Sequence, residues 1–134
     1  MKAKEIVQQY YQAFNDKNWE GMLALVADNI QHDSNQGETR KGKDLFRQFV
    51  DKMEVAYDET LTDIVLMDEP TNTRVAAEFI VNGIYKQSEE GLPEAKGQKY
   101  VLPAGAFLEV KEGKITRVTT YYNLEHWIQL VSQS

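Results

Sequence analysis

The sequence has no cysteine. That excludes a disulfide framework, a thiol nucleophile and any metal site built on thiolates. Histidine is almost as scarce. His32 and His126 are the only two, and they are far apart with no His-x-x-x-His spacing, so no metal site is expected. There is no Walker loop, no Gly-x-Gly-x-x-Gly run and no Ser-His-Asp elbow, and no cofactor is expected. No window reaches a membrane-spanning apolar length. The opening "MKAKEIVQQYYQAFND" is basic in part but lacks the apolar run and small-residue cleavage site of a secretory signal. With cysteine absent, this fits a cytoplasmic setting. Basic residues are outnumbered, 15 Lys and Arg against 21 Asp and Glu, for a formal charge of −6. Such a surface repels phosphate backbones and anionic lipid, so neither nucleic acid nor a membrane is the expected partner.

The 134 residues fit a single domain, 1–134, long enough to bury a core. Ile6, Tyr10 and Phe14 recur every four residues, with Val7, Tyr11 and Ala13 beside them, which predicts a helix over 3–15. Asn18 is a helix-capping residue for a second, short helix whose face carries Trp19, Met22, Leu23 and Val26. "NIQHDS" (29–34) reads as a short strand, and Leu45, Phe46, Phe49, Val50 and Met53 restore helical spacing over 43–56. From there the period falls to two. Strands are expected at 59–68, 73–86, 98–111 and 114–123, with a hairpin at Glu112-Gly113 and a polar loop at 87–97. Pro103 inside the third of these implies an edge, a bulge or a ligand-facing irregularity. Asn123 is placed to cap a last helix over 124–132. Helices followed by a meander of strands indicate an α+β domain. A long antiparallel sheet bent over the N-terminal helices makes a cone-shaped half-barrel with one open end, where small ligands bind.

Four segments carry a resemblance: "VQQYYQAFNDKNWEGMLALVADNI", "GETRKGKDLFRQF", "YVLPAGAF" and "GKITRVTTYYN". Through them the chain resembles the cystatin-like, nuclear transport factor 2-like superfamily, in its ketosteroid-isomerase-related and SnoaL-like polyketide cyclase branch. That superfamily puts isomerases, cyclases and purely binding or dimerising proteins on one cone. Ketosteroid isomerase uses an aspartate base and an oxyanion hole made by a tyrosine and a protonated aspartate. The resemblance implies that Tyr10 is the oxyanion tyrosine and that the base falls at Asp33 or Ser34. It puts the second acid at Gly105, which has no side chain to donate. It also implies a homodimer through the outer face of the sheet.

The residues at the open end have two readings each. If Ile30 faces inward, alternation puts His32 and Ser34 inside and Asp33 outside. His32 is then either a pocket acid–base group or a satisfied core histidine. Asp33 is either an inward base or a ligand for the turn amides of "SNQG". Tyr10 either packs in the core or steadies an enolate. Alternation gives Tyr121 and Tyr122 one to each face, and the resemblance implies that Thr120 and Tyr122 are the inward ones. Phe14, Trp19, Phe46, Phe49, Met53, Phe79 and Phe107 supply apolar walls, and Pro103 and Gly105 complete the expected pocket. His126 reads as structural. Arg40, Lys41, Lys43 and Arg47 form a solvated helix start or hold an anionic substrate tail. The expected function is binding of a small, apolar, oxygen-bearing molecule. The reaction would be cofactor-free proton abstraction next to a carbonyl, catalysed by Tyr10 with His32 or Asp33. A non-catalytic ligand-binding or dimerisation module is the alternative.

Overall fold

The computed structural model describes residues 1–34 and 36–133. Its elements run α1 (Ala3–Asn15), α2 (Trp19–Leu23), β1 (Val26–Ser34), β2 (Thr39–Lys41), α3 (Lys43–Ala56), β3 (Tyr57–Asp68), β4 (Arg74–Tyr85), β5 (Gln98–Lys111), β6 (Lys114–Tyr122) and α4 (Leu124–Ser132). The apolar stripe of α1 is buried at Ile6, Val7, Tyr10 and Tyr11. The Asn18 side chain accepts from the Gly21 amide and starts α2, and Asn123 accepts from the His126 amide and starts α4.

The six strands form one bent, unclosed sheet in the order β2-β1-β6-β5-β4-β3. Its pairs are antiparallel except β1 with β6, which run parallel. The expected sheet was antiparallel throughout. A long intervening segment, β2 to β5, separates β1 from β6, and such a separation permits parallel pairing. Strand β2 was not foreseen, because three polar residues carry no alternation. Val26, placed by spacing on the second helix, begins β1 instead. Register shifts at Thr62/Val65 and Glu109/Val110 add the local twist that bends the sheet.

Alternation then sets the faces. Along β4, Val75, Ala77, Phe79, Val81 and Tyr85 are buried toward the helices. The opposite face is open, with Val101, Phe107 and Tyr121 at 60%, 50% and 44% exposure. Among the described residues no helix is long and apolar enough to cross a membrane.

Candidate active site in the cone

Between the concave sheet face and the helices lies a cavity of about 540 Å³. Tyr10, Phe14, Trp19, His32, Ser34, Phe46, Phe49, Met53, Phe79, Thr120 and Tyr122 all line it. Asp33, Pro103, Gly105 and Phe107 do not, and each misses for the same reason. They occupy the strand parity that faces outward, since β5 buries Leu102, Ala106 and Leu108 and leaves Pro103 and Phe107 exposed. Pro103 sits in a central strand, one residue beyond the last β5–β6 pair at Ala104↔Tyr122, so no ladder bond is forfeited on that side. The inward neighbours of Gly105 are Ala104 and Ala106, which are apolar too. No acid stands at this part of the wall.

His32 is placed by β1, where Ile30 points into the core and the next inward position is the imidazole. It is 5% exposed and packs against two rings of α3, with Phe49 at 4.4 Å and Phe46 at 5.1 Å between centroids. Its Nδ1 has no hydrogen-bond partner. Burial first, and then the Arg40 guanidinium, push its pKa down to about 4, with Asp33 opposing. At neutral pH the ring is therefore uncharged and one nitrogen is unengaged. Tyr10 is buried in the same lining, and burial pushes its phenol well above the ordinary range. It stays protonated and is able to donate.

Asp33 is engaged on the other face. Its carboxylate accepts from Thr119 Oγ1 at 2.7 Å, Thr39 Oγ1 at 2.8 Å and Gln31 Nε2 at 3.2 Å. Burial alone would raise its pKa, but these bonds and the charge of Arg117 outweigh that and hold it below the usual carboxylate value. Arg117 in turn donates to Thr119 and to Glu109, so the aspartate ends a chain that laces β5, β6, β1 and β2 together. A carboxylate held ionised outside the cone cannot be its base. The outward orientation was one of the two open readings. The partners are hydroxyls and an amide side chain, while Asn35 of the "SNQG" turn lies outside the described residues.

A second polar group was not anticipated. Glu59 lines the cavity and accepts from the Tyr100 hydroxyl at 2.5 Å. The two residues lie on β3 and β5, on either side of β4, and both are in register with Gly83. They meet because Gly83 has no side chain. A Cβ there would lie 2.2 Å from Tyr100 Cζ and 2.4 Å from its hydroxyl. Burial raises the Glu59 pKa, against the lowering by Tyr100 and Lys17. Trp127 of α4 walls this region, with its ring centroid 5.9 Å from Tyr100 and 6.0 Å from Tyr57. The Tyr57 hydroxyl donates to Glu89 at 2.9 Å. The signal available in the sequence was the parity of Tyr57, Glu59 and Leu61, one acid between apolar neighbours.

Comparison with known proteins matches the SnoaL-like domain over residues 7–118. The chain belongs to the SnoaL-like domain family. This SnoaL-like protein is similar to the crystal structure of a candidate polyketide cyclase from Pseudomonas putida, at 50% identity and a TM-score of 0.96, with 98% of each chain covered. A candidate polyketide cyclase from Xanthomonas campestris is also 50% identical, with a TM-score of 0.93 and 96% of each chain covered. A protein of ketosteroid isomerase-like fold from Catenulispora acidiphila shares the fold at 18% identity, with a TM-score of 0.77 and coverage of 96% of this chain and 92% of that one. A comparison with curated proteins returned no match.

Proposed function

We propose that this SnoaL-like protein is a cofactor-independent enzyme acting on a small, apolar, oxygen-bearing molecule. His32 takes a proton from a carbon next to a carbonyl. The C–H bond breaks, the proton goes to an imidazole nitrogen and the electron pair moves to the carbonyl oxygen, where the Tyr10 hydroxyl donates to it. The enolate then attacks a second carbonyl of the same molecule in an aldol-type closure, or is reprotonated at another carbon in an isomerisation. The observation that carries this reading is the buried, uncharged imidazole of His32 set among the aromatic rings that line the cavity.

An imidazole ionising near pH 4 is always available at neutral pH but is a weak base. It suits a carbon acid that is already activated, by a second carbonyl or an aromatic ring. The names carried by the half-identical relatives agree with poly-carbonyl substrates.

The test is deuterium uptake from D2O at the benzylic position of 2-tetralone, followed by NMR. The wild type should exchange above the buffer rate, and His32→Gln should lower the enzyme-dependent rate by about a hundredfold or more. Equal rates in both proteins, or none above buffer, would leave a binding module.

We infer as well that two copies pair through the outer sheet face. Phe107 and Tyr121 pack edge to face there at 5.7 Å, still open to solvent, and Val101 extends the patch. Two of the charges on this face, Arg117 and Arg74, are matched by Glu109. An exposed aromatic and aliphatic patch on an open sheet face suits a second copy of itself.

A further inference from the structure

Among the described residues, three buried side-chain nitrogens lack a partner: Trp19 Nε1, His32 Nδ1 and Arg40 Nη1. All three residues line the same cavity. Indole and guanidinium nitrogens only donate. A buried donor left without an acceptor is destabilising, most of all on a charged group.

Arg40 is the informative member. Strand pairing sets it directly opposite His32, and its guanidinium lies 4.9 Å over the Phe49 ring. It forms no ion pair among the described residues, whereas Arg47 of the same basic cluster is paired with Glu20. The other cations of the lining are engaged: Lys17 with Asp58, Lys52 with Glu89, and Lys86 with the Glu54 carbonyl. The carboxylates of the lining, among them Glu59 and Glu89, belong to the β3 side of the cavity, so an anion is repelled there and drawn toward Arg40 on β2.

We propose that the cavity's ligand carries a carboxylate and that Arg40 binds it. This rests on the apolar-ligand reading above and narrows it to an organic acid, with the carboxylate at the β2 end and the apolar body along the phenylalanines. Burial keeps His32 uncharged at neutral pH, so Arg40 supplies the cation.

The test is calorimetric binding at pH 7 of 2-naphthaleneacetate and of its neutral twin, 2-naphthaleneacetamide. Wild type should bind the acid at least roughly tenfold tighter than the amide. Arg40→Met should lose that preference while holding the amide within about twofold, and Arg40→Lys should recover part of it. Equal affinity for the two probes, no binding of either, or equal weakening of both by Arg40→Met would overturn the assignment. The tetralone exchange experiment uses a neutral ketone, so it reports on His32 whatever the outcome here.

Discussion

In an unfolded chain the imidazole of His32 ionises near pH 6.5. In the fold it ionises near 4. Between these values the unfolded chain binds the proton and the folded one does not, so stability falls as pH drops through that window. At pH 4.5 the loss amounts to about 2–3 kcal/mol. Urea unfolding at pH 7 and pH 4.5 should show this decline in the wild type and a decline smaller by about that amount in His32→Leu. Parallel pH dependences would mean that the imidazole is not buried as described. The position of His32 was legible from simple alternation, once Ile30 was taken as inward. Its depressed pKa was not, because that depends on Phe46, Phe49 and Arg40, which other elements bring to it. Glu59 offers a second check. Its bond from Tyr100 favours the ionised form, so Tyr100→Phe should raise the Glu59 pKa further, read from the carboxyl carbon shift in an NMR titration.

At the scale of elements, helices and long strands were readable because their periods are strong. What failed was parity and shortness. Gly105, expected in the pocket from the resemblance, Pro103, from a proline inside a strand, and Phe107, from its apolar ring, all lie on the outward parity, where a one-residue difference on a strand reverses the face. Strand β2 is too short to show a period, yet it delivers Arg40 to the cavity. Pairings across strands were also hidden, above all the meeting of β3 and β5 side chains over Gly83 of β4. Gly83→Ala should drive its Cβ into the Tyr100 ring, break the contact with Glu59 and destabilise the fold by about 1–3 kcal/mol. Chemical denaturation together with loss of the Tyr100–Glu59 signature in the Glu59 titration would check it. Asn15 holds α1 to β3 through two bonds, its Nδ2 to the Leu61 carbonyl at 2.9 Å and its Oδ1 from the Leu61 amide at 2.8 Å. Asn15→Ala leaves both backbone groups unpaired and should cost about 1–3 kcal/mol in the same assay.

For the whole molecule, one bent sheet produces two surfaces with different uses. The concave face, roofed by helices, is lined by aromatic rings with charged and polar groups set among them, which is what a small oxygen-bearing organic ligand requires. The convex face gathers Arg74 and Arg117 on Glu109 and leaves Phe107, Tyr121 and Val101 open. If that face joins two copies, wild type should sediment as a dimer and Phe107→Glu as a monomer at equal concentration, with little change in the cavity on the other side. A monomeric wild type would remove the dimer.

The most direct test of a neutral imidazole waiting in the cone is an NMR titration of His32 in nitrogen-15-labelled protein, with His126 replaced by Gln so that a single ring is observed. The ring should stay uncharged down to about pH 4, and its nitrogen shifts should move when 2-tetralone is added at pH 7. An ionisation near pH 6.5 with no response to the ketone would contradict both the burial and the chemistry built on it.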